Sequence, residues 1–219
     1  MGIATMTAMD SEQPARREEK KAISRRRILE AAREIFFRDG FMAANLDHVA
    51  QRAGVAKGTL YRYFESKAEI YVAVLAADGA IFEQKMRQTI SPELSGSDQV
   101  RCTARFYFEH WRQQRQYFQI FWAIENQTII GELPREVLNE ISKLWEQCLE
   151  IMAGAIERGV TAGEFRQCDP WEVASILWTT TNGLLQREDI STHRTLMRKG
   201  IEEIFYDALE IVIRGIRSD

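Results

Sequence analysis

The sequence predicts an all-α protein of about nine helices, with a three-helix N-terminal head and a larger C-terminal helical bundle. Three observations predict it. Apolar residues recur at helical spacing through most of the 219 residues. No stretch of useful length alternates as a strand does, and no repeat is present. Glycine, proline and capping residues fall where helices of ordinary length should stop and start.

Residues 1 to about 20 are small and polar without an apolar period, and are expected to be disordered. The run from Arg16 to Lys21 is mixed in sign and reads as solvated. A helix is expected to open near Ser24, with Ile28, Ala31, Ala32, Ile35 and Phe36 on one face and Gly40 at its end. Asn45 should cap a short second helix that turns Leu46, Val49, Ala50 and Ala53 inward and breaks at Gly54. A third runs from Lys57 to about Phe64. Ser66 and Glu69 form a capping box that opens a longer fourth helix, with Ile70, Val74, Ala77 and Ile81 as its apolar face. The head is assigned to residues 21–67 and the body to 68–219.

In the body, residues 91–97 read as a loop. Helices are expected over roughly 98–116, 117–129, 135–161, 170–187 and 193–216. Gly131 and Pro134 punctuate one junction, and Gly163, Asp169 and Pro170 the next; Asp169 is placed to cap and Pro170 suits the first helical position. The last helix carries a stripe of Ile201, Ile204, Phe205, Ala208, Leu209, Val212 and Ile216.

Composition excludes several classes. No apolar run approaches the ~18–20 residues of a membrane-spanning helix, and the first ten residues lack the pattern of a secretory signal. A cytoplasmic protein without membrane contact is expected. Cys102, Cys148 and Cys168 suit neither a disulfide framework nor a metal site, and His48, His110 and His193 lack metal-ligand spacing. There is no Gly-rich phosphate loop after a strand, no nucleophile elbow and no paired-carboxylate arrangement with a helical His. The chain is therefore expected to be no enzyme, and to need no metal or cofactor.

Charge is distributed unevenly. Residues 20–64 hold ten Lys and Arg against four Asp and Glu, so the net charge of −3 leaves the remainder near −9. A basic head on an acidic body suits a protein with one end facing phosphates. The segment from Asn45 to Lys67 shows how. Two short helices joined by a turn at Gly54 make a helix-turn-helix, whose second helix enters the major groove. Ala50 is small where the helices must approach, and Val49, Val55 and Leu60 supply a small core. Lys57, Gly58, Thr59, Tyr61, Arg62 and Tyr63 remain for the outer face, a set suited to phosphates and base edges.

The stretch from Leu46 to Lys67, LDHVAQRAGVAKGTLYRYFESK, closely resembles the signature of the tetracycline-repressor (TetR/AcrR) family. Residues 28–32 and 36–41 match that family's first helix, so the likeness covers about residues 24–72. The resemblance implies a DNA-binding transcriptional regulator, by family default a repressor. It implies that Asn45 meets a phosphate, that Lys57 and Arg62 reach base edges or adjacent phosphates, and that Gly58 lets the backbone approach the groove. Thr59 and Tyr63 would bond phosphates, Tyr61 would pack on the sugar-phosphate wall, and Lys67 would pin the DNA backbone and couple head to body. Arg25, Arg26 and Arg27 either add phosphate contacts or form a solvated helix start.

For the body, the resemblance implies a homodimer joined through the last two helices, reading a palindromic operator, and a cavity for a small effector. Gly183 would permit close helix approach; the terminal stripe either buries across the two-fold or packs within its own subunit. The cavity is expected among the aromatic residues of the central helices and to suit a hydrophobic or aromatic compound. Trp111, Phe118, Trp122, Asn126, Trp145 and Trp178 are the candidate ligand contacts, with Gln147 and Asn182 as further polar handles. An effector that favours a wider arrangement of the body would spoil the half-site spacing.

Overall fold

The computed structural model describes residues 9–115, 118, 135–187 and 198–218. Among them are eight helices: α1 Met9–Ala43, α2 Leu46–Ala53, α3 Lys57–Tyr63, α4 Lys67–Arg87, α5 Gly96–Gln113, α6 Arg135–Thr161, α7 Pro170–Arg187 and α8 Ile201–Ile216. The expected helix over 117–129 lies outside the described residues, apart from Phe118. Two compact units divide inside α4, the first ending at Leu75 and the second beginning at Ala76.

In the head, α1 presents Ile28, Ala31, Ala32, Ile35 and Phe36 to the interior, all of them buried. Gly40, at φ 76° and ψ 167°, breaks α1 before its last turn. Asn45 caps α2 as expected, its Oδ1 accepting the Asp47 N–H at 2.8 Å. The turn after α2 has a defined chemistry. Gly54 sits at φ 66° and ψ 39°, its N–H donating to Gln51 O at 3.1 Å while Val55 N–H donates to Ala50 O at 3.0 Å. These are the paired bonds of a glycine-terminated helix, and only glycine adopts that backbone without strain. Leu60 of α3 is fully buried, as Val49 of α2 is, and as the buried residue of α3 it anchors the whole seven-residue helix.

Three expectations need correction. The helix expected to open at Ser24 begins at Met9. The charged run contains strong helix formers, and an ion pair between Lys21 and Glu18 at 2.6 Å links successive turns. The head also extends past residue 67. Tyr71, 1% exposed, meets the Phe36 ring edge-on at 5.1 Å and Phe41 at 5.0 Å, so the first turns of α4 complete the head core. Finally, Ile70 and Val74 are buried, but Ala77 is exposed and Ile81 is 53% exposed. The inward face of α4 passes instead through Leu75, Phe82 and Met86, spaced by seven and four residues.

In the body, α6 packs on α5 and α7, and α8 lies on α7 and α5. Asp169 caps α7, its Oδ1 accepting the Trp171 N–H at 2.9 Å, with Pro170 at the first helical position as expected. The last helix starts at Ile201 rather than 193, with Gly200 at its N-cap; residues 193–197 lie outside the described residues. Its stripe divides. Ile201, Phe205, Leu209, Ile213 and Ile216 bury within the subunit, and Phe205 stacks on Phe108 of α5 with centroids 4.1 Å apart. Ile204, Ala208 and Val212 are only partly covered, because a stripe this wide offers more than one face.

Candidate functional site

The outer face of the helix-turn-helix is built by subtraction. Burying Leu60 rotates Lys57, Gly58, Tyr61 and Arg62 outward and leaves Thr59 and Tyr63 half-buried. Tyr61 is 46% exposed, a large ring held in solvent with no core role. A Cβ added at Gly58 would meet nothing within 4 Å, so backbone can approach a partner there. Asn45 is exposed; its oxygen is committed to the α2 cap, which leaves its amide nitrogen for an incoming oxygen.

Two of the expected contacts hold internal partners. Lys57 Nζ lies 2.7 Å from Asp47 Oδ1, a pairing that raises the lysine's pKa, first through the hydrogen bond and then through charge. Lys67 donates from Nζ to Met42 O at 3.0 Å and stands over the Phe41 ring at 5.0 Å, and burial lowers its pKa. The ammonium expected on the DNA backbone thus ties α4 to the end of α1 inside the head. The three consecutive arginines divide likewise. Arg25 stands over the Phe64 ring at 5.3 Å, Arg26 pairs with Glu30 at 3.7 Å, and Arg27 lies against Gly54. Arg52 joins α2 to α1 through Glu34 at 2.8 Å.

Two adjoining cavities lie among the described residues of the body. The first is lined mainly by Met86, Leu149, Met152, Leu177 and Trp178, the second by Phe82, Trp111, Leu144, Trp145 and Trp178; Tyr107 and Cys148 border both. Each contains about 20 Å³ of free volume, room for a single water molecule. Of the candidate contacts, the structure brings Trp111, Trp145 and Trp178 onto one wall, and Phe118 packs against Trp111 at 5.9 Å. Trp122 and Asn126 lie outside the described residues.

Sequence reasoning passed over Tyr107, which sits where the two cavities meet. Its hydroxyl donates to Asn182 Oδ1 at 3.0 Å, and the indoles of Trp178 and Trp111 lie near the phenol oxygen. Burial raises its pKa well above the ordinary phenol range. Asn182 Nδ2 is buried without an acceptor among the described residues. Burial pushes the Cys148 thiol up to about 12, so it stays protonated and unreactive. Among the described residues, none that lines the two cavities is charged. The available signal for Tyr107 was its place on the α5 stripe with Thr103, Ala104 and Trp111, all buried. Among the described residues there is no group of His, Cys, Asp and Glu that could hold a metal ion, and no helix long and apolar enough to cross a membrane.

Residues 28–74 match the model for bacterial regulatory proteins of the tetR family. An uncharacterised HTH-type transcriptional regulator of Bacillus subtilis, YhgD, is 29% identical over 150 residues, 68% of this chain and 76% of that protein. The HTH-type transcriptional activator FasR of Mycolicibacterium smegmatis is 28% identical over 134 residues, 61% of this chain and 59% of its own length. In fold, the transcriptional regulator FadR of Bacillus subtilis, solved in complex with stearoyl-CoA, superposes with a TM-score of 0.66 at 20% identity, covering 87% of this chain and 98% of that one.

Proposed function

We propose that this chain, whose residues 28–74 match the model for bacterial regulatory proteins of the tetR family, is a cytoplasmic homodimeric repressor, released from a palindromic operator by a small hydrophobic effector. It is a DNA-binding transcriptional regulator, and its relatives are regulators rather than enzymes. The observation that carries the reading is α3 itself. One side is anchored by Leu60, and the other offers Lys57, Tyr61 and Arg62 to solvent. In the groove, Arg62 reads a base edge, Thr59 and Tyr63 take phosphates, and Lys57 exchanges Asp47 for DNA.

A single head makes few contacts, and a two-fold doubles them. Support for the dimer comes from α7 and α8. Ile176 is 53% exposed and Ile211 is 71% exposed, and a Cβ at Gly183 would meet nothing within 4 Å. These helices pack on each other, so a second copy would cover them together.

The uncharged, aromatic cavities favour an apolar effector, and Asn182 Nδ2 offers one donor to a carbonyl or hydroxyl oxygen. FadR was solved with stearoyl-CoA, which supports an acyl chain as one candidate. With room for only a water in each cavity, an effector must part α5, α6 and α7 to enter. It therefore binds the parted form better, and that difference in affinity is what shifts the population. Selection of bound duplexes from a randomised pool tests the reading. Enrichment of an inverted repeat supports it; failure to enrich any sequence removes it.

A further inference from the structure

We infer that the N-terminal stretch of α1 is a second DNA-binding element, whose cationic stripe grips a phosphate of the duplex that α3 reads. This rests on the DNA-regulator reading above and extends the interface beyond the helix-turn-helix.

The first observation is a change of character along one helix face. Ile28, Ala31, Ala32 and Ile35 form the inward stripe of α1 and pack the head. Followed toward the N-terminus by the same spacing, that stripe becomes Ser24, Lys21, Lys20 and Arg17. A continuous helix keeps these residues on the side that faces α2 and α3 lower down, but here their cationic heads replace the core. The rows i, i+3, i+4 and i+7 bring them together over about 11 Å of helix rise.

The second observation is what they face. Arg17, Lys20, Lys21 and Ser24 of α1 line one open concavity with Arg62 and Tyr63 of α3. Three cations of α1 and two hydroxyls line it beside Arg62, and among the described residues no carboxylate does. Glu18 and Glu19 are not among the lining residues, although Glu18 pairs with Lys21 at 2.6 Å. Such a lining fits a phosphodiester oxygen, which accepts hydrogen bonds from guanidinium, ammonium and hydroxyl alike. Because Arg62 and Tyr63 sit on α3, a phosphate in this concavity belongs to the DNA that α3 occupies. Such contacts add affinity without reading sequence.

The test compares the full-length chain with the triple variant Arg17→Ala, Lys20→Ala, Lys21→Ala. Binding to the selected operator and to a random duplex is followed by fluorescence anisotropy across a range of salt concentrations. Arg38→Ala serves as control, since Arg38 is exposed on the same helix but does not line the concavity. The triple variant is expected to weaken both duplexes by the same factor, roughly tenfold. The slope of log K against log salt should fall by about 0.9 for each phosphate released. Arg38→Ala should leave the slope unchanged. An unaltered slope in the triple variant, or an equal loss per charge in Arg38→Ala, overturns the inference while operator preference by the parent chain keeps the regulator reading intact. Loss of that preference in the parent chain would strike the regulator reading instead.

Discussion

Asp47 holds Lys57, with carboxylate and ammonium 2.7 Å apart and both side chains more than half exposed. They stand in the first turns of α2 and α3, so the acidic group lies beside a cation expected on DNA. Lys57 must exchange this partner to bind DNA, and the remaining carboxylate repels phosphates. Asp47→Asn keeps the shape and removes the charge. It should raise affinity for random DNA severalfold at low salt, with a smaller gain as salt screens the repulsion. Anisotropy titrations at two salt concentrations check this.

Lys67 and Arg62 should separate by sequence dependence. Lys67→Ala breaks the bond to Met42 O and the contact with Phe41, and is expected to lower stability by about 1–2 kcal/mol. The looser head should bind operator and random duplex worse by a similar factor. Arg62→Ala should lose more on operator than on random duplex. Gel shifts on both DNAs, with melting curves for both variants, decide it. Equal losses for Arg62→Ala would remove its base-reading role.

Tyr107→Phe leaves Asn182 Oδ1 buried without its donor. The body should lose about 1–3 kcal/mol, seen as a lower melting temperature, while residues of the head keep their exchange protection. An unchanged melting temperature would show that this hydrogen bond contributes nothing.

Alkali should unfold the protein. Tyr71, Tyr107 and Cys148 are all held protonated by burial, with Cys148 at about 12 against an ordinary 9.0 and the two phenols above their ordinary 10.0. A group whose folded pKa is raised contributes fully below its unfolded value and loses that contribution as pH rises toward the folded one. Stability should therefore be flat to about pH 9 and then fall by up to ~1.4 kcal/mol per pH unit for each group. Cys148→Ala should flatten the curve between pH 9 and 10 while the tyrosines still act above it. Denaturant titrations across pH give the slopes.

Ile211→Glu places a charge on the exposed flank of α8 without touching its buried stripe. If α7 and α8 form the two-fold, sedimentation should show a monomer with an unchanged helical spectrum and strongly weakened operator binding. A variant that stays dimeric would place the interface elsewhere.

The head was largely legible because its signals are local. Asn45 and Gly54 act within a few residues of themselves, and burial of Leu60 follows from helix spacing. What escaped depends on residues distant in sequence or on the phase of long helices. The partner of Lys67 is 25 positions away at Met42, and that of Tyr107 is 75 away at Asn182. Ala77 and Ile81 repeat at the right interval, but the inward face of α4 runs through Leu75, Phe82 and Met86 instead, and spacing alone does not choose between the two phases. The charged run before Ser24 has no apolar period, yet propensity and a three-residue ion pair carry a helix through it. Among the aromatics, residue type alone could not separate core rings from those around the cavities.

The most direct test of α3 as a reading helix is dimethyl sulfate footprinting on the selected operator, because the reagent methylates guanine N7 in the major groove. The expected result is protection in two symmetric half-sites about one helical turn apart or a multiple of it, with protection lost in Arg62→Ala. Guanine N7 reactivity unchanged by bound protein would contradict the placement of α3 in the major groove.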